Sequence, residues 1–427
     1  MPALRLVRPF DKLAFSGILW CLKDGALEYH GYYNRQGAPT RRTIREEAMK
    51  MKAAVLRRFD APLPFTDSKP ISIEEVTLDP PGPNEVLVKI GGAGLCHSDL
   101  SVMNGARPRP EPLVLGHEGA CSIVEVGSAI TDIAQGDHIV FQFSPSCGRC
   151  RRCMEGRPQV CEVGAKAKAA GDLMGGGRRI ADADGNRIAH HTGVSCFAEY
   201  AVADRGSVVV IDKDLPLHEA SLFGCAVMTG VGAVINTARI LPGDTVAIIG
   251  LGGVGLNGVL GAKLAGAETI IAVDIADDKL GLARQFGATH TIDASEAGHA
   301  EQVRDLTNGG VDFAIDLAGV IPAMKTAYEI TRYGGTVVTA GLSPSTAEFS
   351  FIQSNLVAEE KAIKGSYMGS CVPVRDIPRF ISLYRQGRLP VDKLISRQVG
   401  LNDLNEGFDR LQNGEAIRQI CLPHRAA

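Results

Sequence analysis

No run of the 427-residue sequence reaches the ~20 consecutive apolar residues that would span a bilayer; the longest candidate, 245–261, is broken by repeated glycines and Asn257. The N-terminal apolar run is not expected to act as a secretory signal. Leu13 to Leu22 follows Arg5, Arg8 and Lys12, but no small-x-small cleavage site follows, and Trp20 precedes Cys21. Neither sign of charge dominates: 45 Lys and Arg against 48 Asp and Glu give a net charge of −3, so no general basic field argues for nucleic acid. No fixed-period repeat or low-complexity tract occurs. The 11 cysteines do not resemble a small disulfide scaffold, because four of them crowd into one short segment. That pattern reads as metal binding in a reducing, cytoplasmic compartment. What is present is ordinary globular composition, 45% hydrophobic and 22% charged, enough for sizeable cores. At roughly 150 residues per domain the chain allows two or three domains. Its 49 glycines exceed the usual ~7%, which suggests tight turns or close backbone–ligand approaches.

Residues 1–50 are rich in Arg and Tyr without a sustained period of 2 or 3.6. They are expected to be an unpacked leader or an upstream over-read, with the native chain starting at Met49 or Met51. From 51 to about 226, short β-like runs (Val86–Ile90, Ser122–Val126, His138–Phe141) are split by Gly and Pro, as in an irregular, mainly β domain. After about 227 the texture changes. Thr245–Ile249, Thr269–Val273, Phe313–Ile315 and Thr336–Thr339 read as strands alternating with helix-length segments. That alternation predicts an α/β fold with a doubly wound parallel sheet over 227–367.

Gly250-Leu251-Gly252-Gly253-Val254-Gly255 matches G-x-G-x-x-G between a strand and a helix, with Asp274 at the end of the next strand. Alone the glycine pattern is weak; this context makes it a dinucleotide fingerprint. The first glycine permits the turn, the second lets the diphosphate approach, and the third lets helix and strand pack. The diphosphate then sits at a helix N-terminus. Asp274 would bond the ribose hydroxyls and repel a 2′-phosphate, favouring NAD over NADP; the competing reading is an acid that merely ends a strand.

Cys147, Cys150, Cys153 and Cys161 can wrap one tetrahedral Zn²⁺ with no open position, a structural site within a lobe at about 145–165. Arg149, Arg151, Arg152 and Arg157 lie among them and could offset the thiolate charge through N–H···S bonds. Paired disulfides and an iron–sulfur cluster are the competing readings, although the spacing lacks the ferredoxin run. A second set is dispersed: Cys96, His117 with Glu118, and Cys225. Two Cys and one His supply three ligands and leave a fourth position open, the catalytic zinc arrangement, if they converge.

On these residues the chain resembles the zinc-containing medium-chain alcohol dehydrogenases, from about Met51 to Pro423. The motifs stand in the family's order and near its spacing, and the length beyond the leader suits its longer, typically dimeric subunits. The resemblance implies a GroES-like catalytic domain formed from 51–226 and 368–427, flanking the Rossmann domain. It implies two zinc ions per subunit, the catalytic one on Cys96, His117 and Cys225, with Glu118 an occasional ligand and Asp99 behind His117. His97 and Arg418 match positions contacting the pyrophosphate, Lys279 one contacting the ribose, and Thr229 and Ile249 ones near the nicotinamide. Ser98 matches the start of the proton relay; where many members continue with a His, this chain has Ser101.

The expected function is therefore reversible hydride transfer between NAD and a primary or aromatic alcohol or its aldehyde, in a cytoplasmic homodimer without nucleic-acid or membrane partners. Alternatives are a thiol-conjugate (S-hydroxymethyl) formaldehyde dehydrogenase, an alcohol:acceptor oxidoreductase that retains its cofactor, and a non-enzymatic nucleotide- or metal-binding protein on the same scaffold. The glutathione-dependent branch carries acids where this chain has Arg107 and Arg109, and a base where it has Ala165, which disfavours the conjugate. The two arginines read either as an anion-favouring feature or as a solvated rim. Cys121, Cys196, Cys371 and Cys421 read as packed core thiols.

Overall fold

The computed structural model describes residues 18–23, 26–32 and 47–425. Ile18–Lys23 and Ala26–Tyr32 pair as an antiparallel hairpin inside a unit of its own, residues 1–44. The sequence reading anticipated no strand there; the rest of the expected leader up to residue 46 lies outside the described residues.

From residue 45 onward the chain forms one compact unit containing three sheets. Five strands, among them Met49–Leu56 and Ile71–Leu78, close a small barrel. A second, seven-stranded sheet is built around Glu85–Gly94, which pairs with Gly119–Val126, Tyr200–Asp204 and Arg418–Cys421. The last of these, with Ile395–Val399 beside it, returns the C-terminal segment to the β domain.

The third sheet is wholly parallel. Its six strands are Thr245–Ile249, Thr269–Asp274, His290–Asp293, Val311–Asp316, Thr331–Thr339 and Ala362–Gly365. Numbered along the chain, they lie in the order 3-2-1-4-5-6, the doubly wound dinucleotide-binding order. The first strand is a β-branched run because both its faces are covered: Val246, Ala247 and Ile248 are fully buried. Burying each such Val or Ile contributes about 1.5–3 kcal/mol. The helix Gly253–Ala265 follows and stops at Gly266, whose left-handed backbone (φ +84°) lets its N–H reach the Ala262 and Lys263 carbonyls. No single helix among the described residues is long and apolar enough to cross a membrane.

Candidate functional site

Strand register assembles the first cluster. Ala93 lies opposite Gly119 in the antiparallel pair, and the Gly94 N–H donates to the Glu118 carbonyl at 2.7 Å. The residues just beyond this crossing, Cys96 on one strand and His117-Glu118 on the other, therefore face one another. Cys225 arrives from the turn Ser221–Gly224, which packs so closely on the strand His138–Phe141 that a Cβ on Gly224 would sit 2.6 Å from the Phe141 carbonyl oxygen. All four residues are buried, and their candidate ligand atoms lie within 4.8 Å of one another.

The imidazole is aimed by what stands behind it. His117 Nδ1 donates to Asp99 Oδ1 at 3.0 Å, which leaves Nε2 buried and without a hydrogen-bond partner. An orphaned imidazole nitrogen beside two thiols is costly unless a cation completes it, so these residues fit zinc. The sulfurs are already polarised: a hydrogen bond with the Cys225 thiol holds Cys96 well below the usual thiol range and pushes Cys225 up. Burial opposes the Asp99 charge, but His117 and His191 overcome it and keep the carboxylate ionised. Glu118 is pushed up to about 7 by burial, against the pull of Arg418, with which it forms a buried ion pair.

The four-cysteine lobe is equally specific. Cys150 Sγ lies 3.5 Å from Cys153 Sγ and 3.8 Å from Cys161 Sγ, and Cys161 Sγ lies 3.6 Å from Cys147 Sγ. Four sulfurs held about 2.3 Å from one tetrahedral ion would stand ~3.8 Å apart. The separations are too long for disulfides at ~2.05 Å and suit one ion. The charge is offset differently from the sequence expectation. Backbone N–H groups of Cys147, Cys150 and Gly164 donate to these sulfurs, whereas Arg151 and Arg152 turn to Glu155.

At the glycine turn, Gly250 has φ +86°, and a Cβ on Gly255 would fall 1.7 Å from the Gly250 carbonyl oxygen. A Cβ on Gly252 would meet nothing within 4 Å, so its open side forms a cradle at the helix N-terminus. No side chain caps that terminus, which leaves its N–H groups to a ligand. Asp274 ends the second strand and accepts from the Leu251 N–H at 2.6 Å, so it also braces the turn. Arg418 connects the regions: its Nη2 pairs with Glu118, while its Cδ stands 2.4 Å from where a Gly253 Cβ would lie. Lys279, from the helix Asp277–Phe286, and Arg418 both bear on His97, whose pKa is lowered first by burial and then by those charges. Thr229 and Ile249 are buried, at the helix Ala226–Gly232 and the end of the first parallel strand. Ser98 is half-buried in the helix His97–Met103, and the Ser101 hydroxyl donates to the His97 carbonyl at 2.7 Å.

Sequence reasoning missed His191. Its Nδ1 lies 2.9 Å from Asp99 Oδ1, and its ring packs edge-on to His117 with centroids 5.3 Å apart. Nothing in its spacing marks it, because it comes from a distant loop. Cys121, Cys196, Cys371 and Cys421 are buried thiols pushed up by burial, as expected of packing residues.

A β domain carrying a three-ligand metal cluster beside a dinucleotide-binding sheet defines a zinc-binding oxidoreductase of two domains. The alcohol dehydrogenase GroES-like domain model matches residues 82–213, and the zinc-binding dehydrogenase model matches residues 253–386. S-(hydroxymethyl)glutathione dehydrogenase of Paracoccus denitrificans is 35% identical over 374 residues, covering 86% of this chain and all of that protein. Alcohol dehydrogenase class-3 of Cereibacter sphaeroides is also 35% identical, over 83% of this chain and 96% of its own. The crystal structure of benzyl alcohol dehydrogenase from Acinetobacter calcoaceticus superposes with a TM-score of 0.80 at 31% identity, covering 88% of this chain and 99% of that one. The chain belongs to the zinc-containing medium-chain alcohol dehydrogenase family.

Proposed function

We propose that the protein is an NAD-dependent zinc alcohol dehydrogenase acting reversibly on primary or aromatic alcohols and their aldehydes. The observation that carries this reading is the convergence of Cys96, His117 and Cys225 around an unpartnered His117 Nε2, joined through Arg418 to the glycine cradle. Cys96, His117 and Cys225 would hold a zinc ion able to take the substrate oxygen, and the lobe cysteines would hold a structural one. The ring contacts favour an aromatic substrate, since His117 packs edge-on to Phe143 at 5.6 Å and Phe143 to Tyr367 at 5.8 Å. The catalytic domain comprises 51–226 and 368–427, the Rossmann domain 227–367, and residues 1–50 a leader; the active form is a cytoplasmic homodimer.

Zinc, when bound, supplies a Lewis acid that makes a hydroxyl easier to ionise, and NAD supplies the hydride acceptor. The chain's own residues do the rest. Asp99 fixes the tautomer and direction of His117. Ser98 Oγ receives the hydroxyl proton and, being half-exposed, passes it to water. The Ser101 hydroxyl, committed to the His97 carbonyl, does not extend the relay. Arg418 holds Glu118 while its Nη1 stands 3.3 Å from where a Gly253 Cβ would lie, and Asp274 excludes a 2′-phosphate by charge.

The test is a panel of aliphatic and aromatic alcohols and aldehydes, followed by NADH absorbance with NAD and NADP in parallel. Turnover with NAD is expected. Absence of turnover across the panel in zinc-loaded protein overturns the reading. Preference for S-hydroxymethylglutathione would instead support the activity named for the Paracoccus relative.

A further inference from the structure

We infer that the approach to the Cys96/His117/Cys225 cluster is built for a substrate carrying a carboxylate remote from its reacting carbon, an aromatic alcohol or aldehyde with an anionic tail. This deepens the proposed function and rests on it. Edge-on ring contacts run from His117 to Phe143 and from Phe143 to Tyr367, both half-buried. These contacts end on a cation: Lys168 Nζ lies 2.5 Å from the Tyr367 hydroxyl and 5.0 Å from its ring centroid. Lys168 stands on the helix Glu162–Ala170, immediately after the four-cysteine lobe. That lobe therefore positions one end of the channel.

Two further cations act electrostatically on the same groups. Arg107 follows the helix that Cys96 caps, tied by its N–H to the Ser101 carbonyl at 2.8 Å. It is half-buried, and its electrostatic neighbours are Arg109, Tyr367 and Cys96. Arg109 bears on His191, the ring that packs against His117, and its Nε is buried without a hydrogen-bond partner. Among the described residues, Arg107, Arg109 and Lys168 form no ion pair with a carboxylate. Buried and partly buried arginines elsewhere are paired, as Arg178 with Asp172, Arg179 with Glu85 and Arg418 with Glu118.

The acids near the channel are already engaged. Asp99 serves two histidines and Glu118 serves Arg418. Two thiolates would neutralise a divalent ion, so the cluster does not compensate the cations. Half-buried cations left without a counter-charge are costly. An incoming carboxylate satisfies them, most effectively through the planar donor fork of Arg107. A substrate lacking that group would leave their donors unpaired, which is the strongest source of discrimination available to a small pocket.

The experiment compares 4-(hydroxymethyl)benzoate with its methyl ester in the zinc-loaded, full-length protein, as a ratio of kcat/KM values. A ratio of ten or more in favour of the acid is expected. It should fall at least tenfold in Arg107→Gln and in Lys168→Met, and largely return in Arg107→Lys and Lys168→Arg. Calorimetric binding of 4-carboxybenzamide against benzamide reads the same preference without turnover, and melting curves verify that each variant folds. Equal use of acid and ester, or a ratio unmoved by both neutral variants, overturns the inference while leaving the dehydrogenase reading intact. A tenfold preference for S-hydroxymethylglutathione over the benzoate overturns it in favour of a peptide conjugate. If no alcohol is oxidised, the dehydrogenase reading fails, and the calorimetric ratio alone decides whether the cations select carboxylates.

Discussion

His191 Nδ1 lies 2.9 Å from Asp99 Oδ1, the same oxygen that receives His117 Nδ1 at 3.0 Å, so one buried carboxylate anchors two imidazoles. Only His117 belongs to the cluster with Cys96 and Cys225; His191 packs edge-on against it. The Gly116 N–H also donates to that oxygen at 3.2 Å, which holds the carboxylate against His117.

Asp99→Asn tests this support. The amide retains the shape but loses the charge that makes His117 a better ligand. Zinc affinity at the cluster should fall 10–100-fold, the usual cost of losing a carboxylate behind a metal-bound histidine. Competition with a chromogenic chelator measures it. An unchanged affinity would show that Asp99 has no hold on the ligand set.

The two metal sites should separate by substitution. Cys96→Ala is expected to leave one zinc per chain and no measurable turnover, with NADH still bound. Cys150→Ser should remove the other ion and lower the melting temperature, because four thiolates around one ion contribute folding energy directly. Elemental analysis beside a melting curve distinguishes the outcomes. Loss of both ions in Cys96→Ala would mean that the sites are not independent.

Gly252 and Gly255 make a matched pair. A Cβ at 255 would overlap the Gly250 carbonyl oxygen at 1.7 Å, so Gly255→Ala should destabilise the fold by about 1–3 kcal/mol or more. A Cβ at 252 meets no protein atom within 4 Å, so Gly252→Ala should melt like the wild type yet bind NADH at least tenfold more weakly. Tight NADH binding by Gly252→Ala would place the diphosphate elsewhere.

For Asp274 the geometry selects the substitution. Its Oδ2 accepts from the Leu251 N–H, so a glycine there would also loosen the turn. Asp274→Asn keeps an acceptor and removes the charge. The ratio of kcat/KM for NAD over NADP should fall at least tenfold, and an unmoved ratio would reduce Asp274 to a brace.

Much of this was readable from spacing. Strands such as His138–Phe141 and Thr245–Ile249 emerge where their apolar runs begin and end, because strands buried on both faces need unbroken apolar stretches. The lobe cysteines lie within 15 residues of chain, so local geometry confines them to one ion. The polar and short strands His290–Asp293 and Ala362–Gly365 escaped notice, since edge positions need little apolar pattern. His191, Tyr367 and Lys168 could not be read either. Each reaches the site through contacts between segments far apart in the chain, and such contacts leave no local period.

Asp204 ends the strand Tyr200–Asp204 and is only 4% exposed. Burial pushes its carboxyl up to about 6, with Glu85 adding repulsion, while the Met174 and Gly175 N–H groups pull the other way. The unfolded chain titrates near 3.9. Between pH 4 and 6 the folded protein thus holds a proton that the unfolded chain has released, so this residue's contribution to stability falls as pH rises through that window. Above pH 6 the penalty is constant. Asp204→Asn keeps an acceptor for the Met174 N–H without titrating. Relative to wild type, the variant should gain stability between pH 4 and 6, by roughly 3 kcal/mol for a shift of two pKa units. Urea unfolding at several pH values gives the difference, and zinc loss at low pH affects both proteins alike and cancels in it. A difference that stays flat across the window would mean that Asp204 is ionised in the folded protein as freely as in water.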